Sequence, residues 1–353
     1  MTVQIITGDC RKVLKSLDSG SIRCCVTSPP YWRQRDYGMA GQIGLEQTPE
    51  QYVAEMVEIF SEVRRVLTDD GTLWLNVGDK WSSSSKWGGA TGGKHVSGLH
   101  GEGMKATRHR SLTGLKDKNL VGIPWMLAFA LRADGWYLRQ ANIWAKPNCM
   151  PESVTDRSTS SHEYVLQLSK SNRYFYNADA ARTPAAPTPE TRLAQDIENQ
   201  AGSSRADGGG KTNGTMKAVS RKSDKQRGHS RRHNGFNDRW DQMSVAEQRS
   251  MGANLRSVWW ISTAQYRDGH YAVMPDALAE ICITCGSERG DTVLDPFSGA
   301  GTTALVADRL GRHAIGIELN PAYADMARKR IENDAPLFAE VGTAFVDGGR
   351  LVE

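Results

Sequence analysis

One stretch of the sequence decides the fold class: Val293-Leu294-Asp295-Pro296-Phe297-Ser298-Gly299-Ala300-Gly301-Thr302-Thr303. An apolar strand runs into a glycine turn, and the turn opens a helix. Gly299 and Gly301 let a ligand approach the backbone closely, while the N-terminus of the helix favours an anionic group. The next apolar run ends at Glu318, nineteen residues after Gly299, where a carboxylate can accept hydrogen bonds from both hydroxyls of a ribose. The stretch therefore predicts a binding site for a nucleoside cofactor.

Strands and helices alternate on both sides of this stretch. A helix is predicted after Thr48, which forms a capping box with Gln51, and its apolar face extends to Leu67. A hairpin is predicted to join residues 162–169 to 173–176. The alternation predicts an α/β fold with a doubly wound, mostly parallel sheet. The other predicted elements are strands over 3–7, 22–27, 72–77, 137–145, 255–261, 292–294 and 314–317, and helices over 10–17, 124–134, 275–285, 302–310 and 321–333.

The charge of the chain is unevenly distributed. The 353 residues are 39% hydrophobic and 24% charged, as in globular proteins. Lys and Arg outnumber Asp and Glu by 14 to 8 over residues 181–256 and by 8 to 2 over 80–118, whereas the rest of the chain is net acidic. Basic segments on an acidic core indicate a polyanionic partner such as nucleic acid. Residues 181–254 show no regular pattern and are interpreted as a loop-rich insertion.

The cysteines and the N-terminus are typical of a protein from a reducing compartment. The six cysteines are scattered and two of them, Cys24 and Cys25, are adjacent, which does not suit a disulfide framework. Cys282 and Cys285 form a single CxxC pair, so buried thiols are favoured over a zinc site. The single pair also means that no metal is expected. Because there is neither a signal-like N-terminus nor an apolar run of membrane length, we expect a cytoplasmic protein.

A second stretch, Thr27-Ser28-Pro29-Pro30-Tyr31-Trp32, directly follows the predicted strand at 22–27. The Pro-Pro step is rigid, so backbone carbonyls and a flat ring are fixed at the carboxyl edge of the sheet. At the same edge Asp295 places a carboxylate beside the ligand, which suits a cationic cofactor better than a pyrophosphate. S-adenosylmethionine carries a sulfonium, an ammonium, a carboxylate and a ribose, and it would suit Asp295, Glu318 and Asp9.

Together the two stretches resemble the S-adenosylmethionine-dependent DNA amino-methyltransferases, which modify cytosine N4 or adenine N6. The catalytic signature of that family matches residues 28–31, and the cofactor signature matches 295–303. This order is similar to that of the β group, in which the motifs are permuted. The resemblance implies a Rossmann-like methyltransferase core. Its catalytic half is 1–180, with a mobile basic loop at 81–118; a target-recognition insertion follows at 181–254, and the cofactor-binding half is 255–353.

The resemblance also implies which residues act. The blocks 142–148 and 162–164 resemble the segments that flank the target-base pocket, and 270–275 resembles the segment that touches the methionine moiety. The implied catalytic residues are Ser28, Pro29, Pro30 and Tyr31. The cofactor-binding set is Asp9, Cys10, Thr27, Ser28, His270, Asp295, Pro296, Phe297, Ser298, Gly299, Gly301, Thr302, Thr303, Glu318 and Asn320.

The chemistry explains why such a catalytic motif is needed. An exocyclic amino nitrogen is a poor nucleophile, because its lone pair is delocalised into the base. We hypothesise that the Pro29 carbonyl and the Ser28 side chain hold the amino hydrogens and aim the lone pair at the methyl carbon, while Tyr31 stacks on the flipped base. Methyl transfer would then be a direct in-line displacement that relies on positioning and preorganised dipoles.

Duplex DNA is the predicted partner. Phosphate contacts would make binding salt-dependent. By resemblance, a homodimer, a cognate restriction endonuclease and a bacterial or phage origin, with a location at the nucleoid, are further expectations. The predicted DNA-binding residues are Arg33, Arg35, Lys146, Arg231, Arg232 and Arg239.

Several alternatives stay open at this stage. Ser28 at the first motif position favours cytosine N4, since Asp is commoner there in adenine enzymes, but a hydroxyl both donates and accepts and could serve adenine N6. A non-catalytic DNA-binding regulator on the same fold is an alternative of another class. A methyltransferase of protein glutamine or RNA is disfavoured, because those enzymes usually place the glycine motif first. Cytosine C5 chemistry is disfavoured because no cysteine follows a proline in the manner of a covalent nucleophile.

Overall fold

A computed structural model of the chain describes residues 1–82, 114–183, 253–264, 274–334, 340–347 and 350–352. The chain divides into two units, one formed by Met1–Asn177 with Arg256–Glu353 and the other by Ala178–Leu255. In the second unit, the described residues are 178–183 and 253–255, where the backbones of Thr183 and Ala253 exchange two hydrogen bonds of 2.9 and 2.7 Å. Most of the basic loop and of the insertion predicted from the sequence lies outside the described residues.

The first unit is built on one sheet, in which the described residues form ten strands. The order β10-β9-β1-β8-β7-β2-β3-β5-β4-β6 places the N-terminal strand beside the C-terminal ones. Pairing is parallel from β9 through β3 and between β4 and β6, and antiparallel around β5 and at β10. The predicted α/β fold with a mostly parallel sheet is therefore confirmed. The strands are β1 Thr2–Thr7, β2 Ile22–Thr27, β3 Leu67–Val77, β4 Tyr137–Ala145, β5 His162–Ser169, β6 Val258–Trp260, β7 Thr292–Asp295, β8 His313–Glu318, β9 Glu340–Asp347 and β10 Arg350–Val352.

Helices pack on both faces of the sheet. One buried cluster joins α1, α2 and α3 to Cys25 of β2, whereas α4 packs against Cys24, the next residue along that strand, so close that Gly286 has room for no side chain. Successive side chains of a strand point to opposite faces, so the two adjacent cysteines mark the two layers. The helices are α1 Cys10–Ser16, α2 Pro49–Val66, α3 Ile123–Ala133, α4 Asp276–Gly286, α5 Thr302–Arg309 and α6 Pro321–Asp334.

The longest helix begins as its sequence predicts. The Gln51 N–H donates to Thr48 Oγ1 at 3.2 Å and the Thr48 N–H donates to Gln51 Oε1 at 3.3 Å, which completes the capping box. The helix ends at Val66, whereas the sequence predicts its end at Asp70-Gly71. Leu67 already has an extended backbone and starts β3, and a register shift between β2 and β3 accommodates the extra residues before Thr72.

Two further expectations differ from the structure. The predicted hairpin is wrong, because β5 already pairs with β3 on one side and β4 on the other and has no edge left for Arg173–Tyr176. Instead, the Phe175 N–H donates to the Asp70 carbonyl at 2.9 Å. The strands β9 and β10 were not predicted, since β9 pairs with β1, at the opposite end of the chain, and β10 pairs with β9.

The structure bears on the cysteines and on the absence of an apolar run of membrane length. Cys10, Cys24, Cys25, Cys282 and Cys285 are free thiols in the interior. Among the described residues, no helix is both long enough and apolar enough to cross a membrane.

Gly286 tests the packing of α4 on the sheet. A Cβ at this position would lie 2.5 Å from Cys24 Sγ and 2.8 Å from Trp74 Nε1. We expect Gly286→Ala to lower the free energy of unfolding by about 1–3 kcal/mol through overpacking, measured by denaturant titration. Glu332→Ala on the exposed side of α6 is the control and should change stability by less than about 0.5 kcal/mol. Equal stability of Gly286→Ala and the wild type would contradict this packing.

Candidate active site

The two stretches quoted from the sequence meet at one edge of the sheet. Strands β2 and β7 are parallel neighbours, with Cys25 opposite Leu294. At their carboxyl ends Thr27 Oγ1 donates to Asp295 Oδ1 at 2.6 Å, across 268 residues of sequence. Thr303 Oγ1 donates to the Val26 carbonyl at 3.2 Å and closes the same junction from the helix side. The catalytic and cofactor signatures are thus directly joined.

A pocket of about 270 Å³ opens at this junction. Ser28, Pro29 and Tyr31 of the catalytic signature line it together with Asp295 and Glu318. This is the crevice at the carboxyl ends of the strands, where open α/β sheets bind their ligands. The remaining predicted residues that line it are Asp9, Cys10, Pro30, Arg35, Lys146, Pro296, Phe297, Ser298, Gly299, Thr302 and Asn320.

Glu318 is held at the pocket wall by backbone donors. The Gly299 N–H donates to Oε2 and the Asn320 N–H to Oε1, each at 2.8 Å. Burial raises the pKa of this carboxyl, although the same hydrogen bonds oppose the shift. Gly299 has a φ of +52°, which favours glycine in the turn. Each carboxylate oxygen keeps a second lone pair, so Glu318 can still accept hydrogen bonds from ribose hydroxyls.

Asp295 is a buried carboxyl with few donors. It is 4% exposed, and besides Thr27 it accepts a hydrogen bond from the Phe297 N–H at 3.0 Å. Burial raises its pKa to about 6, against the lowering effect of its hydrogen bonds. Burial disfavours the charged form of this carboxyl, and in the described part of the chain no positively charged side chain offsets that cost. A cationic ligand beside Asp295 would therefore stabilise the carboxylate and would itself be bound strongly.

The groups in the cofactor half fit S-adenosylmethionine. Ser298 Oγ is buried and has no hydrogen-bond partner among the described residues. A Cβ at Gly316 would lie 2.5 Å from that oxygen, so Gly316 makes room for it. Two carboxyls, an unpaired hydroxyl and a glycine turn match the ammonium, ribose and carboxylate of the cofactor.

Other predicted cofactor residues have structural roles of their own. Asp9 caps α1 and binds the Arg11 guanidinium; burial opposes its ionisation, but the hydrogen bonds from Arg11 outweigh burial and lower its pKa. Burial raises the pKa of Cys10 to about 12, so its thiol stays protonated. Thr302 accepts a hydrogen bond from Arg330 at 2.8 Å. Gly301, with a φ of +75°, packs against α6, where a Cβ would lie 2.8 Å from the Cβ of Ala327.

In the catalytic half, the Tyr31 hydroxyl is the centre of a polar cluster. It donates to Glu163 Oε2 at 2.5 Å and accepts from Asn76 Nδ2 at 3.0 Å. Ser28 Oγ lies 3.4 Å from the same hydroxyl. Burial, followed by the charge of Glu163, raises the pKa of Tyr31 well above its ordinary value, so the phenol remains a donor. Nearby, Tyr52 Oη donates to the Pro30 carbonyl at 3.0 Å and fixes the Pro-Pro step.

The sequence did not single out Asn76 or Glu163 as site residues. Asn76 lies near the end of β3, next to β2, and the ends of parallel neighbours meet at one edge. Asn76 directly precedes Val77-Gly78-Asp79, where the strand ends. A polar side chain at the end of an apolar strand is the sequence signal that could have identified it. Glu163 lies in one of the two blocks expected to flank the base pocket. The ammonium of Lys146, which was predicted to bind DNA, forms an ion pair with Glu163.

Arg33 and Arg35 lie in the loop that follows the catalytic stretch. Arg33 has a φ of +49°, its N–H donates to the Gly44 carbonyl at 2.6 Å, and its carbonyl accepts from Lys80 Nζ at 3.0 Å. This fixes the loop that leaves the pocket. The other predicted residues, His270, Arg231, Arg232 and Arg239, lie outside the described residues.

Known proteins are similar to this chain in sequence. The family model described as DNA methylase matches residues 22–329. The Type II methyltransferase M.SmaI of Serratia marcescens is 41% identical over 93% of this chain and 90% of its own length. The Type II methyltransferase M.XycI of Xanthomonas campestris pv. cyanopsidis is 40% identical over 93% of this chain and 87% of its own length.

Solved structures share the fold. A Thermus thermophilus protein assigned as a DNA modification methylase, solved with S-adenosyl-L-methionine, is 24% identical with a TM-score of 0.55, and the match covers 98% of both chains. The cytosine-N4-specific PvuII DNA methyltransferase is 18% identical with a TM-score of 0.54, over 96% of this chain and 95% of its own. The family model and the relatives of 40% identity or more show that the chain belongs to the DNA methylase family and is a site-specific DNA amino-methyltransferase that uses S-adenosylmethionine.

Proposed function

We propose that this methyltransferase modifies the N4 amino group of a cytosine that is flipped out of duplex DNA into the pocket described above. The observation that supports this placement is that Ser28, Pro29 and Tyr31 share one pocket with Asp295 and Glu318. Base flipping is required because the amino group of a stacked, paired base cannot reach a buried site. Adenine N6 is the alternative target, and the same pocket would serve it by the same mechanism.

The residues of the chain supply position and charge. S-adenosylmethionine, when bound, supplies an electrophilic methyl group on a sulfonium. Asp295 and Glu318 hold the cofactor through its cationic and ribose groups. The Pro29 carbonyl and Ser28 Oγ accept hydrogen bonds from the amino group and direct its lone pair, and the Tyr31 ring stacks on the base. Tyr52 keeps the Pro-Pro step rigid through the Pro30 carbonyl.

The preference for cytosine rests on Ser28. The side chain lies 3.4 Å from the Tyr31 hydroxyl and 3.5 Å from Asn76 Nδ2, so both of its neighbours are polar. A neutral hydroxyl can hold an amino group without adding a further negative charge to a pocket that is already lined by Asp9, Glu163, Asp295 and Glu318. The relatives named Type II methyltransferases support pairing with a cognate endonuclease; that partner and the homodimer stay predictions.

The catalytic assignment is tested by Ser28→Ala combined with Tyr31→Ala. We expect methyl transfer to fall at least about 100-fold, because both the acceptor and the stacking surface are lost. The measurement is incorporation of tritiated methyl groups into unmethylated genomic DNA. Binding of S-adenosylmethionine, followed by calorimetry, is the control and should weaken far less than methyl transfer falls, because Asp295 and Glu318 are unchanged. Full activity of the double variant would show that this motif is not catalytic.

The target base is tested by mass spectrometry of nucleosides. DNA is taken from a host without its own DNA methyltransferases that expresses the protein, with the Ser28→Ala and Tyr31→Ala double variant as the control. We expect N4-methyldeoxycytidine only in cells with the wild-type protein. N6-methyldeoxyadenosine without N4-methyldeoxycytidine would overturn the preference for cytosine but keep the rest of the proposal.

The charge of Asp295 predicts a pH dependence of cofactor binding. With a pKa of about 6 the carboxyl is mostly protonated below that pH and mostly ionised above it. A cationic ligand binds the ionised form, so affinity for S-adenosylmethionine should rise about tenfold per pH unit up to about pH 6 and then level off. Asp295→Asn should bind weakly and without this dependence. Calorimetry that gave the same wild-type Kd at about pH 5 and pH 7.5 would contradict the role of Asp295.

A further inference from the structure

The Tyr31 ring is fixed at both its edge and its hydroxyl. Gly78 packs against the ring so closely that a Cβ there would lie 2.8 Å from Cε2. The hydroxyl donates to Glu163 at 2.5 Å and accepts from Asn76 at 3.0 Å. A tyrosine used only as a flat surface would not need the two hydroxyl contacts, since phenylalanine offers the same face.

Glu163 lies on β5 and is held from both neighbouring strands, β3 and β4. One carboxylate oxygen binds the Lys146 ammonium just beyond the end of β4, and the other accepts hydrogen bonds from Tyr31 and from Asn76 Nδ2, the latter at 3.0 Å. The antiparallel pairing of β4 with β5 places Trp144 opposite Glu163, and Lys146 Nζ lies 4.4 Å from the centroid of the Trp144 ring. The side chains of Lys146 and Glu163 are only 18% and 16% exposed, so water screens their ion pair weakly.

From these contacts we infer that Glu163, oriented by Lys146, is a positioning residue that locks the Tyr31 ring in the orientation needed to stack on the target base. The inference rests on the proposed function, in which Tyr31 forms the stacking surface. Glu163 acts through the Tyr31 hydroxyl rather than by touching the base, and together with Asn76 and Lys146 it forms the Tyr31 anchor. Lys146 therefore serves the geometry of the pocket, and its charge pairs with Glu163 instead of a DNA phosphate.

A double-mutant cycle between Tyr31→Phe and Glu163→Gln tests this inference. Both changes preserve size, and Tyr31→Phe keeps the stacking face. Loss of the anchor lets the ring rotate, so each single variant should lower kcat about 10- to 100-fold at saturating DNA and cofactor. The double variant should be no more than about threefold slower than the slower single variant, since Tyr31→Phe removes and Glu163→Gln weakens the same hydrogen bond: the single amide oxygen of Gln cannot accept from both Lys146 and Tyr31. The Kd for S-adenosylmethionine should stay within about twofold in all three.

The control is Glu62→Gln, which removes an ion pair with Arg65 on α2, away from the pocket. It should keep kcat within about twofold of the wild type. If Glu163→Gln slows a Tyr31→Phe protein as much as it slows the wild type, Glu163 acts independently of the hydroxyl and the inference fails. Wild-type kcat in Tyr31→Phe would also overturn it, even if Glu163→Gln did not fold. Inactivity of Tyr31→Ala beside full activity of Tyr31→Phe would leave the proposed function intact and reject only the anchor.

Lys146→Met separates positioning from phosphate binding. As part of the anchor, Lys146 should affect kcat while the salt dependence of DNA binding stays unchanged. A lysine on a phosphate would instead reduce the slope of log affinity against log salt by about one when removed. A reduced slope with unchanged kcat would contradict the role assigned to Lys146.

Discussion

The parallel pairing of β2 with β7, and the Thr27–Asp295 hydrogen bond of 2.6 Å at its end, is the constraint on which the site depends. The residues that it joins are 268 positions apart in the chain. Because each strand carries its signature at its carboxyl end, pairing alone brings the catalytic and cofactor halves to one crevice. The core must therefore fold as one unit before either half can act, and neither motif forms a complete site by itself.

Burial of acidic groups gives this crevice its electrostatic character. Desolvation raises the pKa of Asp295 to about 6 and also raises that of Glu318. Since the pKa of Asp295 in the folded state lies above its ordinary value, protonation favours the ligand-free fold, and this contribution is lost as pH rises through about 6. A cationic cofactor would reverse that balance. In the proposed mechanism the pocket holds buried acidic groups that a cationic cofactor would neutralise, so recognition would depend on charge as well as on shape.

Local patterns account for the parts of the structure that the sequence predicted. The capping box at Thr48, the glycine turn after Asp295 and the apolar alternation each depend on a few neighbouring residues. The anchor formed by Asn76, Lys146 and Glu163 depends instead on the antiparallel insertion of β5 between β3 and β4, which no local pattern encodes. The same reason explains the missed strand β9 and the wrong hairpin, since both depend on which strand edges distant segments occupy.

In the proposed mechanism, one pocket presents a flipped base to the cofactor between the two signatures. A crystal structure with S-adenosylmethionine bound is the sharpest test of this arrangement. The cofactor should lie beside Asp295 and Glu318 with its methyl carbon facing Pro29 and Tyr31. A methyl carbon that faces away from these residues, or a cofactor in a different cleft, would rule the mechanism out.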